Sequence, residues 1–303
     1  MFKKSYLGLD LNVREMRAAA LQRVRKSVQL KAARILPLAD ELFAFSAQEP
    51  NVLDPKRFVE NLQELLAPMA GREEQLAVSL PDRVGRILLT EVDTVFKSQA
   101  EGTDILKWKL KNSLPGSPHD IQLDYQALDK NERGQTRILV SLVHRAVLAQ
   151  YEELIAEAGF KPAIVDFHSM NLYNFYRPRL DLGQDFVLVS LEGNTLSLQF
   201  FHDRMPFFFR VLEVASEPAR IFHEVDRSVV RHRNHPGFSR ASVFLHCDWE
   251  RCDEMLGALK SVFDREVTLL DPRIDRMGLK PVHLPGDGER SLVASIGVAE
   301  RLT

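Results

Sequence analysis

The sequence predicts a mixed α/β protein of two lobes, each opening with a three-stranded antiparallel meander. Three observations carry that reading. The chain has 303 residues, more than one ordinary domain of ~100–200 residues needs. A run of apolar strand segments with two early turns begins at Tyr6 and recurs at matching depth from Asp185. Between the two runs, Pro178 to Gln184 is polar and carries proline and glycine, as linkers do. We therefore expect a first lobe over 1–180, with a small inserted subdomain at about 76–135, and a second lobe over 184–303 whose own insertion is much reduced.

The elements follow in order. Tyr6 to Asp10 is a strand, Asn12 to Glu15 a turn, Met16 to Val24 a second strand and Val28 to Leu36 a third. Asp54-Pro55 signals a helix start, and Phe58, Leu62, Leu65 and Leu66 keep the helical period up to Pro68. Leu76 to Leu80 is a short buried strand and Arg86 to Val92 an alternating one. Asp104 to Leu114 reads as a helix with Ile105 and Trp108 toward a core, stopped by Pro115-Gly116-Ser117-Pro118. Strands at Ile121 to Leu128 and Arg137 to Val143 precede an amphipathic helix, Ala146 to Ala158, ended by Gly159. Ala163 to Phe167 is a strand and Ser169 to Tyr176 a helix.

In the second half, strands at Asp185 to Leu191, Leu196 to His202 and Pro206 to Val211 are joined by turns at Glu192 to Thr195 and Asp203-Arg204. Pro218 to Arg233 is helical, Ala241 to His246 a strand, Asp248 to Val262 a helix and Glu266 to Leu270 a strand. Ser291 to Arg301 closes the chain as an apolar helix, its Ala294, Gly297 and Val298 permitting close packing.

Composition narrows the class without naming a chemistry. Hydrophobic residues are 45% and charged residues 27%, ordinary for a globular chain and too apolar for a disordered one. Forty basic and 42 acidic residues leave a net charge of −2, so nothing draws the whole chain to nucleic acid. Two cysteines, Cys247 and Cys252, cannot build a disulfide scaffold. Met1-Phe2-Lys3-Lys4 is basic, but Asp10, Arg14, Glu15 and Arg17 interrupt any signal-peptide core, so the cytoplasm is the expected compartment. No Walker loop, nucleophile elbow or Rossmann glycine pattern occurs.

Paired meanders followed by helices resemble the actin/Hsp70/hexokinase superfamily, whose actin-like (RNase H-like) fold holds a nucleotide between one hairpin from each lobe. More narrowly, the chain resembles the PilM family of type IV pilus machinery, with MshI and the cytoplasmic part of the type II secretion L protein. The resemblance rests on Tyr6-Leu7-Gly8-Leu9-Asp10, Leu80-Pro81, Trp108 to Pro115 followed by Ile121 to Tyr125, and above all Ala156 to Pro162 with Val165-Asp166.

Hydrolysis in that superfamily needs a carboxylate on each hairpin for metal and water, glycines beside phosphate and a glycine-rich turn beside adenine. The resemblance implies vestigial positions at Asp10, Asn12, Arg17, Ser190, Glu192, Gly193, Asn194, Thr195, His246 and Trp249. Asp10 is retained, either for metal or as a turn residue capping backbone N–H groups. Asn12 replaces a glycine, Ser190 a carboxylate and Glu192 a glycine, so Glu192 would turn negative charge on phosphate. Trp249 would fill adenine's space. Val214 reaches the next helix through Ser216-Glu217-Pro218, so the adenine-side insertion is nearly absent. The expectation is no cofactor, no metal and a pseudo-ATPase.

Two functions from different classes are then open. One is a scaffold peripheral to the inner membrane, docking the N-terminal cytoplasmic segment of a bitopic PilN-like partner beside the inserted subdomain. Contact with the assembly ATPase complex and self-association are further possibilities the family implies. The other is a divergent ATPase or sugar-kinase relative using Asp10, Arg17 and Thr195 on ATP-Mg. His223, His232, His235, His246 and the two cysteines fit no zinc spacing. Arg231-His232-Arg233-Asn234-His235 reads as a solvated helix end or as a patch for an anionic surface. Phe207-Phe208-Phe209, on a strand, should alternate between its two faces.

Overall fold

A computed structural model describes residues 4–25, 27–38, 42–278 and 288–303. Residues 1–3 of the basic start lie outside the described residues. The opening meander is β1 (Ser5–Leu11), β2 (Glu15–Val24) and β3 (Ser27–Pro37). Then come α1 (Pro55–Ala70), β4 (Gln75–Leu80), β5 (Gly85–Val92), α2 (Gln99–Lys109), β6 (Ile121–Lys130), β7 (Thr136–His144), α3 (Arg145–Glu157), β8 (Lys161–Phe167) and α4 (His168–Leu180). The second meander is β9 (Phe186–Glu192), β10 (Thr195–His202) and β11 (Met205–Glu213). It is followed by α5 (Pro218–Val229), α6 (Pro236–Arg240), β12 (Ser242–Cys247), α7 (Cys252–Phe263), β13 (Val267–Leu269), α8 (Gly288–Ser291) and α9 (Val293–Glu300).

The described residues form three sheets, in the orders β3-β2-β1-β4-β8, β11-β10-β9-β12-β13 and β5-β7-β6. The two larger ones share one plan: an antiparallel meander whose first strand also pairs in parallel with a later one, β1 with β4 and β9 with β12. Helices α4 and α9 lie in the core between these sheets, where Leu172, Tyr176, Phe186, Leu188 and Ile296 are buried together. Close approach there depends on two glycines. A Cβ on Gly8 of β1 would sit 2.0 Å from the Ser295 carbonyl of α9, and one on Gly297 would sit 2.1 Å from the Asn171 carbonyl of α4. Among the described residues, no helix is long and apolar enough to cross a membrane.

Several expectations change. The third sheet and its helix run from Gly85 to His144, whereas Gln75–Leu80 pairs with β1 and β8 inside the first lobe's sheet, so the span of about 76–135 begins too early and ends too soon. Trp108 is not a core residue. Helix α2 starts earlier, at the Ser98 cap, and packs Leu106 into the small sheet's core, which leaves Trp108 on the opposite face, 69% exposed under Lys111. Helix α1 continues past Pro68 to Ala70, and α4 continues through Pro178 to Leu180, which shortens the linker. The helix expected over 218–233 ends at Val229, and Pro236, at a first-turn position, starts the separate short helix α6 that buries Phe238. Strict alternation fails at Phe207. The β10–β11 register pairs Phe201 with Pro206 and Phe200 with Phe208, so Phe207 is bulged out and joins Phe208 against the second lobe's core. Phe209 packs on the first lobe's core instead.

Candidate functional site

The two hairpins meet across the lobes. The β1–β2 register sets Asp10 opposite Arg17, so both side chains leave one face of the first hairpin. The second hairpin turns through Gly193-Asn194, with Gly193 at φ +55°, a conformation that favours glycine. The hairpin tips touch: Asn12 Nδ2 is 3.5 Å from where a Gly193 Cβ would be. His168 arrives from a third direction, as the first residue of α4. Asp82, in the 3-10 turn after β4, anchors it by accepting a hydrogen bond from Ser169 N at 3.1 Å and another from Ser169 Oγ. This side chain from a distant turn caps α4 where Phe167, at the cap position, cannot.

What the hairpins enclose is a network of charges. Arg17 Nη1 lies 3.4 Å from Asp10 Oδ2 and 3.1 Å from Glu192 Oε1. Its Nη2 reaches Asp248 Oδ2 at 3.3 Å, and its Nε reaches Glu15 Oε1 at 2.6 Å. His168 bridges the lobes, with Nδ1 2.8 Å from Asp10 Oδ1 and Nε2 against Glu192 Oε2. His246, fully buried, has Nδ1 2.9 Å from Tyr176 Oη and Nε2 3.5 Å from Glu192 Oε1. Gly193 N donates to Asp248 Oδ1 at 3.3 Å.

Burial sets the electrostatics, because charges shielded from water need partners. Burial works to lower the Arg17 and His168 values, but the surrounding carboxylates outweigh it and hold both above their ordinary ones. Burial would raise Glu192, yet His168 and His246 bring it well below the usual carboxylate range. Asp248 is pushed up to about 6, first by burial and then by Glu192. Asp82 is likewise pushed up to about 6 by burial, against His168 and Ser169.

The residues do not fit ATP-Mg. Asp10, the one carboxylate retained from the expected metal set, is completely buried and already faces Arg17 and His168. Both of its oxygens face side chains, Oδ2 toward Arg17 and Oδ1 toward His168. Glu192 does bring a carboxylate to the second hairpin, where it lines the cleft, but Arg17 and His168 already engage its two oxygens, so it supplies no free ligand. Ser190 hydrogen-bonds Ser197 at 2.7 Å, and the Asn194 side chain donates to Glu213 at 2.6 Å. The cavity left between the hairpins, lined in part by Asn12, Phe45, Pro81, Arg83 and Thr195, measures about 40 Å³. Small-molecule sites run to roughly 300–1,000 Å³. Phosphate entering here would face Asp82 and Glu192 on the cavity wall, and a like-charge pair opposes by about 4 kcal/mol at 4 Å and an effective dielectric of 20.

Other expected positions fall elsewhere. Trp249 is buried in the second lobe's core with Val214, Met255 and Phe263, not in the cleft. Cys247 and Cys252 are both buried. Among the described residues, the one group with ligand atoms gathered within 4.8 Å is Asp185, His202 and Asp203, and it contains no cysteine. Arg227 and Arg233 of the basic cluster are paired with Glu224 and Asp226. Sequence reading missed His168, Asp248 and Asp82. His168 carried one signal, as a titratable residue at a strand-to-helix junction after Val165-Asp166.

No protein-family model and no curated protein matches the sequence. Solved structures do match along the whole chain. A chain of a PilM–PilN type IV pilus biogenesis complex aligns with a TM-score of 0.81 and 15% identity, covering 99% of each chain. A Bacteroides thetaiotaomicron protein of actin-like ATPase fold and unknown function aligns at 0.55 and 10%, covering 91% of this chain and 95% of that one. The cytoplasmic domain of EpsL, an inner-membrane component of the Vibrio cholerae type II secretion system, aligns at 0.52 and 11%, covering 98% and 94%. The chain therefore has the actin-like fold, in the form seen in that chain of the pilus complex.

Proposed function

We propose that the protein is a non-hydrolysing scaffold of a type IV pilus or related secretion platform. On this reading it works in the cytoplasm, held at the inner membrane through a bitopic PilN-like partner whose N-terminal cytoplasmic segment it docks. The observation that carries the non-catalytic half is the cleft itself, whose carboxylates are already matched by Arg17 and His168. The partner half is supported by the likeness to a chain of a PilM–PilN complex.

A groove of about 300 Å³ between the first lobe and the small sheet suits such a segment. Ile87, Tyr125, Leu139, Val165 and Met170 offer it apolar contacts, and β8, the outermost strand of its sheet, borders it. An extended segment laid against a strand edge gains backbone hydrogen bonds and pockets for alternate side chains. The test is co-purification with the neighbouring bitopic membrane protein. Deleting the partner's first cytoplasmic residues should abolish association, and Asn174→Trp, which fills the groove from α4, should weaken it at least tenfold. Association that survives both changes would refute segment docking.

A further inference from the structure

In this fold the space between the hairpins is where a metal ion and phosphate would be held, and here the residues present do not fit them. What stands there instead is a side chain. Among the described residues, His168 is the one that touches a carboxylate from each lobe with separate ring nitrogens, Nδ1 on Asp10 of β1 and Nε2 on Glu192 of β9. An ionised carboxylate only accepts hydrogen bonds, so a ring bonded to one at each nitrogen must donate from both, which only the imidazolium does. We propose that His168 is the resident cation of the cleft: a protonated imidazole that ties Asp10 to Glu192 and keeps the hairpins closed without a bound ion or nucleotide. The inference rests on the reading that the cleft takes no nucleotide, and adds what holds it shut.

The surroundings agree with that role. Around the ring stand Asp82 from the turn after β4, Arg17 from β2 and, beyond Glu192, His246 and Asp248 from β12 and the segment after it. Arg17 touches four of the site's acids and His168 two of them. Asp10, Glu15, Glu192 and Asp248 face only two cations, Arg17 and His168, so loss of the imidazolium would halve the positive charge in an already acidic site. His168 is also held in place independently of its charge partners. The Asp82–Ser169 hydrogen bonds fix the first turn of α4, so the ring is presented rather than drawn in. Burial opposes the charge and the carboxylates more than restore it, raising the ring well above an ordinary histidine.

Two measurements test it. In the unaltered protein, ring ¹⁵N spectra should show both nitrogens of His168 protonated at pH 7.5, when an ordinary exposed histidine is neutral. A singly protonated ring at that pH overturns the proposal. His168→Gly should lower the melting temperature by about 10 °C, as expected when buried carboxylates lose a partner. Imidazole at millimolar concentration and pH 6 should restore most of that loss, whereas pyrazole, equal in shape but uncharged, should not. Equal rescue by both would make His168 a space-filler and overturn the proposal. If the glycine variant does not fold, His168→Gln serves for the melt and the spectrum of the unaltered protein decides. Neither readout involves nucleotide, so Mg-ATP binding to the unaltered protein fails or succeeds independently.

Discussion

Arg17 shows how the site changed its use of one residue. A basic residue at this place on the first hairpin would serve phosphate, but this guanidinium is spent on four carboxylates from both lobes. Removing it leaves buried charges unmatched, so Arg17→Met should destabilise by about 3–5 kcal/mol in urea denaturation. Adding Glu192→Gln to that variant should recover part of the loss, since the two sites are in contact and do not act additively. The pH dependence has a defined sign. Asp82 and Asp248 titrate near 6 in the fold against 3.8, and Glu300 near 7 against 4.5, all raised first by burial. Such groups hold protons that the unfolded chain has released, so their stabilisation is present at low pH and lost as pH rises through 6 to 7. His168, also raised, contributes fully below its ordinary 6.5 and loses that contribution as pH rises through its folded value. Glu192 works oppositely, but only below its ordinary 4.5. The urea midpoint should therefore be higher at pH 5.5 than at pH 8. The reverse order would contradict the arrangement of charges described. Asp10, Arg17 and Glu192 were legible in the sequence because they lie on the hairpins. His168 and Asp248 were not, because their place depends on how α4 and the segment after β12 pack, which no local pattern encodes.

Among the elements, the strands and caps follow the sequence closely where local chemistry is strong. Asp54 accepts from Arg57 N at 3.0 Å and starts α1 as its Asp-Pro signal requires. Asp54→Ala should cost about 1 kcal/mol, read as a shift in urea midpoint without a change in slope. Elements failed to follow where tertiary contacts decide. Trp108 carries the bulk of a core residue, yet the packing of Leu106 into the small sheet's core turns it outside. Trp108→Ala should accordingly stay within about 0.5 kcal/mol of the parent. The bulge at Phe207 is likewise invisible to a period-two reading, since it arises from a slip in pairing with β10. Helix α9 is the opposite case. Its small residues announced close packing, and Gly297→Leu, which would drive a side chain into the Asn171 carbonyl of α4, should destabilise by at least 1–3 kcal/mol in the same assay.

At the scale of the whole molecule, the two meanders give the actin-like fold, and their duplication was readable because each lobe repeats the same order of strands and turns. The state of the cleft was only half readable. Substituted glycines argued against phosphate, but the network that takes its place joins residues up to 231 positions apart in the chain. That the cleft takes no nucleotide is the central claim, and isothermal calorimetry of the purified protein with millimolar Mg-ATP addresses it most directly. The account predicts no binding heat and no shift in melting temperature. Saturable binding, with stabilisation that grows with ligand concentration as linkage requires, would contradict it.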